Sequence, residues 1–245
     1  MNCQPNIKSL VYNCLNIDQL CLLCDEPARQ AYPLCTACEG ELPWLGDQCL
    51  RCALPLAMDG LVCSTCRRHA PAFKQVIATW EYGFPVDTLI SRFKHNSQWP
   101  LGRLMAQLLG YALEHRYGEG LPRPDRLLPV PLARRRLRQR GFNQAAMLAR
   151  WLARQLRLHS DESVLERTRD TPTQQALGAR ARRRNLRQAF ALRPGADVEG
   201  LHLAVVDDVL TTGTTAQAIA RLLRKSGARR VDIYCLARTP RPGQA

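Results

Sequence analysis

The chain has 245 residues, 46% of them hydrophobic, which is enough to pack one medium domain plus a small module and too apolar for wholesale disorder. Lys and Arg outnumber Asp and Glu by 35 to 21, a formal charge of +14. Such an excess attracts polyanions, whether nucleic acid, phosphorylated metabolites or acidic lipid, and does not choose among them.

The first twenty residues lack the basic start, unbroken apolar stretch and small-residue cleavage site of a signal peptide. No apolar run approaches the roughly 18 residues of a membrane span. The chain therefore reads as cytoplasmic, reaching the inner face of a membrane only through partners. Ile7, Leu10, Val11 and Cys14 have the spacing of a short amphipathic helix. Eleven cysteines in a reducing compartment argue against disulfides.

Eight of those cysteines form four C-x-x-C pairs, Cys21/Cys24, Cys35/Cys38, Cys49/Cys52 and Cys63/Cys66, recurring every 14 residues. Each pair sets two thiolates on one side of a tight turn, and two turns complete the tetrahedral sulfur set that Zn²⁺ favours. Thioredoxin-type chemistry needs one activated pair, not four regular ones. Two zinc ions are expected. Sequential pairing (21, 24, 35, 38 and 49, 52, 63, 66) crosses the chain least, with an interleaved set as the alternative. Either way all four ligands are protein sulfur, so the ions are structural staples or docking surfaces. Cys3, Cys14 and Cys235 read as ordinary thiols.

Residues 76–84 read as a strand. Pro85 opens a helix with Val86, Leu89, Ile90 and Phe93 on one face, and Pro100 opens a second with Leu101, Leu104, Met105, Leu108 and Ala112 inward. Between them, Arg92–Asn96 reads as a solvated helix end, an anion contact from Lys94 being the other reading. Residues 126–131 form a further strand. The arginine run 134–140 has no apolar stripe to bury, so it is either a solvated charge run or an anion clamp. A helix with Ala145, Leu148, Ala149, Leu152 and Leu156 inward follows. The basic tract from Arg167 to Phe190 reads as an excursion hooding the sheet.

Leu203, Ala204, Val205 and Val206 make a strand buried on both faces, ending in Asp207 and Asp208. Thr211, Thr212, Gly213, Thr214 and Thr215 then turn into a helix with Ala216, Ile219, Ala220 and Leu223 inward and Gly227 as its stop. Small residues let backbone N–H groups wrap a phosphate at the helix N-terminus. Two carboxylates repel that anion but suit vicinal hydroxyls, directly or through Mg²⁺. Phosphate plus diol describes a ribose 5-phosphate. A strand from Arg229 to Cys235 and a tail from Arg238 to Ala245 complete the chain.

The segment 203–215 resembles the phosphoribosyl pyrophosphate (PRPP) motif of type I phosphoribosyltransferases. The repeated C-x-x-C pairs, V-P-L before R-x-R-G-F-N-Q, T-x-x-Q before R-x-N and A-F, and V-V-D-D-V-x-T-T-G-T-T together resemble the ComF/ComFC competence proteins and their GntX-like relatives, over residues 20–238. The resemblance implies an α/β fold: a parallel-sheet type I phosphoribosyltransferase-like domain at 73–240 behind a double zinc ribbon at 20–72. It implies PRPP or a related ribose phosphate as ligand, with Mg²⁺, at Asp207, Asp208 and Thr211–Thr215. Arg134, Arg136 and Arg140 are then suited to the pyrophosphate, because guanidinium forks match phosphate oxygens. It further implies a role in DNA uptake and utilisation, affinity for single-stranded DNA, and partners in the uptake machinery. No base-reading segment is recognisable, so turnover as a phosphoribosyltransferase is left open. A nucleobase-salvage transferase and a non-catalytic adaptor with a ligand-sensing pocket are the alternative readings.

Overall fold

The computed structural model describes residues 19–58, 60–168 and 189–240. The expected helix at 7–14, Cys3, Cys14, residues 169–188 of the basic tract and the tail beyond residue 240 lie outside them. The chain divides into two compact units, Met1–Leu42 and Pro43–Ala245.

The cysteine repeat is built from two kinds of turn that alternate, so the structural period is twice the spacing of the pairs. In the first unit Leu20 bridges Pro27. Cys21 N–H donates to the Glu26 carbonyl (2.8 Å) and Asp25 N–H to the Cys21 carbonyl (2.9 Å), with Asp25 at φ 61°. Cys35 then caps α1 (Thr36–Gly40), its sulfur accepting from Cys38 N–H. The second unit opens with the same device. Gln48 bridges Pro55, Cys49 N–H donates to Leu54 (2.8 Å) and Ala53 N–H to Cys49 (3.0 Å), Ala53 lies at φ 51°, and Cys63 caps α2 (Ser64–Arg68) through Cys66 N–H. Ala53 and Phe73 belong to the main core of this unit, so the second ribbon and the sheet share apolar packing.

The sheet comprises β1 (Val76–Glu81), β2 (Arg126–Pro129), β3 (His159–Ser160), β6 (His202–Leu210) and β7 (Arg230–Arg238). Its order is β1-β7-β6-β2-β3, and every pairing is parallel. Helices α3 (Val86–His95), α4 (Trp99–Gly118), α5 (Arg134–Arg140), α6 (Gln144–Leu156) and α7 (Thr214–Lys225) connect the strands. Parallel crossovers are right-handed, so connections running in opposite directions across the sheet cover opposite faces. Period-two alternation divides the strands accordingly. Leu203, Val205, Val231, Ile233 and Cys235 pack with Ile219, Ala220 and Leu223 of α7. Tyr234 turns the other way, its hydroxyl 3.2 Å from that of Tyr117 on α4. On that face Phe93 of α3 meets Trp151 of α6 at 6.0 Å between centroids.

Two short strands, β4 (Leu165–Arg167) and β5 (Phe190–Leu192), were not evident as strands in the sequence. They pair antiparallel and bring the two described ends of the basic excursion together. The last strand also runs further than its apolar alternation suggests: Arg238, expected at the start of the tail, is the final residue of β7.

At the amino ends of β6 and β7, the fully buried Asp232 carboxylate takes His202 Nε2 at 2.9 Å and Arg230 Nη2 at 3.0 Å. A guanidinium and an imidazole as hydrogen-bond partners offset the cost of burying this carboxylate. Replacing it leaves them stranded, a change that typically costs about 3–5 kcal/mol. Asp232→Leu is expected to lower the chemical-denaturation midpoint by that scale of stability, whereas Glu162→Leu, removing an exposed partner of Arg150, should leave it within about 1 kcal/mol of the parent.

Candidate functional site

Strands β2 and β6 are neighbours, with Pro129 opposite Val206. From β2 the chain proceeds outward to β3, and from β6 it proceeds the opposite way to β7. This is a topological switch point, and the crevice beyond the carboxyl ends of such strands is left uncovered by either connection. Asp207, Asp208 and the Thr-rich turn lie at one of those ends, and α5 follows the other.

Gly213 adopts φ 72°, a left-handed conformation that side chains with a Cβ rarely hold. It is the N-cap of α7, and no side chain caps that helix, so the amides of its first turn face outward with the positive end of the helix dipole. Thr211 and Thr212 are exposed and Thr214 and Thr215 half-buried. Thr212 and Thr214 hydroxyls lie 2.8 Å apart. This arrangement suits an anion with several acceptor oxygens.

The two carboxylates are held close. Asp208 N–H donates to Asp207 Oδ1 at 2.9 Å, and Val209 N–H to Asp208 Oδ1 at 2.7 Å. Burial, reinforced by the neighbouring Asp208 carboxylate, pushes the Asp207 carboxyl up to about 8. Asp208 meets Lys94 Nζ at 2.8 Å. The Arg92–Asn96 segment, read from sequence as a solvated helix end, thus delivers Lys94 into the site from the last turn of α3. The second reading of this segment, an anion contact from Lys94, is the one this pair answers, but the identity of the anion is not local information, because α3 follows an edge strand and its reach to β6 is set by packing.

The arginine run forms a helix after all. Helix α5 buries none of its residues and ends at Gly141 with φ 82°. Asn143 anchors the next helix by capping it through Ala145 N–H at 3.0 Å and donating to the Val130 carbonyl at 3.1 Å. This places Arg140, half-buried, beside Gln144 Oε1 at 2.5 Å. Burial and the neighbouring Arg136 lower the Arg140 pKa from the usual guanidinium value, and Asp208 opposes that shift. Arg140 therefore lies within electrostatic reach of Asp208 and of Arg136, while Arg134 and Arg136 are both exposed on α5.

The cysteines group sequentially, Cys21, Cys24, Cys35 and Cys38 in one cluster and Cys49, Cys52, Cys63 and Cys66 in the other, with the sulfurs of each within 4.8 Å of one another. Cys24 and Cys35 sulfurs are 3.7 Å apart and Cys52 and Cys63 sulfurs 3.8 Å, the edge length of a tetrahedron with Zn–S bonds of about 2.3 Å. Burial raises the Cys21 and Cys49 thiols, but backbone N–H donors outweigh it and bring them down to about 6 and about 7. Burial and the neighbouring sulfurs drive Cys38 and Cys66 far above the usual thiol value. Four such thiols do not ionise together without a cation among them, and the donor set fits zinc.

The raised Asp207 carboxyl has a consequence for stability. A folded-state pKa near 8 against an ordinary carboxylate value means that the folded chain holds a proton the unfolded chain has released. Stability then falls as pH rises from the ordinary carboxylate range to about 8. In the zinc-loaded, ligand-free protein, the melting temperature is expected to fall by several degrees between pH 6 and pH 8.5, read by calorimetry, and Asp207→Asn should flatten that slope.

Comparison with known proteins agrees with this architecture. Residues 142–244 match the phosphoribosyl transferase domain family, and residues 17–67 match the double zinc ribbon domain family. The DNA utilization protein YhgH of Escherichia coli K12 is 37% identical over 227 residues, covering 92% of this chain and 99% of that protein. Competence protein F of Haemophilus influenzae is 33% identical over 207 residues, covering 84% and 90%. Competence protein ComFC of Bacillus subtilis is 25% identical, covering 90% and 95%. With its double zinc ribbon and its phosphoribosyltransferase-type parallel sheet, the chain belongs to the ComF/ComFC family of competence and DNA-utilization proteins.

Proposed function

We propose that the chain binds PRPP or a closely related ribose phosphate in the crevice between β2 and β6, and acts in DNA uptake and utilisation by contacting single-stranded DNA. The observation that carries the ligand reading is the convergence, at a switch point, of an uncapped helix N-terminus, a carboxylate pair and the cations Lys94 and Arg140. One ligand chemistry answers all three.

In this reading the amides of residues 211–215 and the α7 dipole hold the 5-phosphate. Asp207 and Asp208 accept hydrogen bonds from the ribose hydroxyls, whose donors replace part of the hydration that burial removes from Asp207. Lys94, Arg136 and Arg140 face the pyrophosphate, Lys94 exchanging part of its contact with Asp208 for phosphate oxygens. Bound Mg²⁺ would supply charge neutralisation between hydroxyls and pyrophosphate. These contacts position the ligand and stabilise charge on a departing pyrophosphate, which is what phosphoribosyl transfer asks of a protein.

The DNA reading rests on α5 and its aromatic neighbours. Arg134, Arg135, Arg136 and Arg138 are exposed on one short helix. Immediately after it, Phe142 lies against Trp99 in an edge-on contact at 6.3 Å, and Trp99 remains 51% exposed. Cations along a backbone track with an exposed ring for stacking suit a single strand, and the YhgH relative is named as a DNA utilization protein.

Calorimetric titration with PRPP and Mg²⁺ is expected to show saturable binding that weakens at least tenfold in Asp207→Asn/Asp208→Asn. Absence of binding to the parent protein would remove the ligand reading. Fluorescence anisotropy with a labelled thymidine oligomer is expected to show binding that declines with salt, by about 0.7 in log–log slope for each phosphate neutralised. The triple variant Arg134→Ala/Arg135→Ala/Arg138→Ala should flatten that slope, and the aspartate variant should leave it unchanged. An unaltered slope in the arginine variant contradicts the DNA surface.

A further inference from the structure

Arg238 closes β7 in register with Leu210 at the end of β6, and it is 8% exposed. Its Nε–H donates to the carbonyl of Cys52 at 2.9 Å. Its Nη1 lies 3.0 Å from the carbonyl of Leu210, 2.5 Å from that of Thr211 and 2.6 Å from that of Thr239. One guanidinium therefore joins a cysteine of the second ribbon to the first residues of the Thr-rich turn.

Among the described residues no carboxylate forms an ion pair with Arg238. A buried cation ordinarily demands an opposing charge. Carbonyl dipoles supply part of it, Asp207 and Asp208 act with Arg238 on the buried Cys235, and the loaded sulfur cluster is a further source, since four thiolates about one Zn²⁺ leave a surplus of about two negative charges. Cys52, whose carbonyl Arg238 holds, is a member of that cluster. The loaded ribbon thus adds opposing charge on the side from which Arg238 holds the Cys52 carbonyl.

The effect on the turn follows from peptide geometry. A trans planar peptide points its N–H opposite to its C=O. Fixing the carbonyls of Leu210 and Thr211 toward Arg238 therefore fixes the amides of Thr211 and Thr212 away from it, toward the face where Gly213 opens α7.

We propose that Arg238 is a positioning residue that makes the conformation of the 211–215 turn depend on the metal held by Cys49, Cys52, Cys63 and Cys66. This deepens, and rests on, the reading of the turn as a phosphate cradle. The second ribbon then acts as the far wall of the ligand site, through one side chain that touches no ligand.

The test is nitrogen-15 relaxation of the full-length, ligand-free protein. In the zinc-loaded parent, amides 211–215 are expected to show rigid-backbone order parameters near 0.85. Arg238→Gln and the milder Arg238→Lys, which keeps the charge but lacks the fork, should each drop them below about 0.6, with amides 126–128 of β2 unchanged. Chelation of zinc should produce the same drop in the parent and no further drop in Arg238→Gln. Cys24→Ser/Cys38→Ser, which removes the first metal site only, should leave the turn rigid. Parent-like order in both Arg238 variants would overturn the proposal, as would a chelation effect of equal size with and without Arg238. Because no ligand is present, failure of PRPP to bind would sink the cradle reading while this coupling is still decided by its own measurement.

Discussion

The site depends on a constraint of connectivity before it depends on any side chain. In a parallel sheet each strand must be followed by a crossover, and each crossover covers one face. Between β2 and β6 the crossovers leave in opposite directions, so the edge above those two strands is the place where backbone carbonyls and amides emerge without a covering connection. The carboxylates, the Thr-rich turn, Lys94 and Arg140, the groups that the proposed ligand would use, gather at that edge. The Thr-rich turn and the carboxylates arrive on β6, α5 arrives after β2, and Lys94 is carried there by the packing of α3 against α6 through Phe93 and Trp151.

Electrostatics at this edge is balanced with few charges. Two carboxylates at the end of one strand would repel each other, and the rise of Asp207 to about 8 comes from its burial first and from the neighbouring Asp208 carboxylate second. Lys94 and Arg140 offset it on the Asp208 side. A ligand with hydroxyl donors and phosphate acceptors would exchange partners with both signs of charge at once. That match, more than the net charge of +14, gives the crevice its chemical character. The surplus of arginine is spread instead over α5, where nothing is buried and solvated guanidinium groups stay available to a polyanion.

Much of this was legible in the sequence because the informative residues are local. Four regularly repeated C-x-x-C pairs announce metal knuckles, and of the two pairings left open by their even spacing the structure has the sequential one, which crosses the chain least. Leu203–Thr215 encodes strand, acids, turn and helix start within one span, so its placement needed no knowledge of distant partners. Asp207, Asp208 and the turn accordingly lie together at a strand end. The contacts whose partners the sequence did not name act across the chain. Lys94 looks like any cation at a helix end, and its partner Asp208 is far away in sequence. Arg238 looks like the start of a polar tail, yet it sits inside the protein because the carbonyls of Cys52, Leu210 and Thr211 converge on it. The pairs β4 and β5 are three residues each, too short for alternation to be read.

The account stands on the claim that the crevice between β2 and β6 is a cradle for a phosphorylated ribose. A crystal structure of the protein grown with ribose 5-phosphate tests it most directly. The expected result places the phosphate within about 3 Å of the backbone amides of residues 211–215 and the ribose hydroxyls against Asp207 and Asp208. A ligand seated elsewhere, or its phosphate turned away from the start of α7, would contradict it.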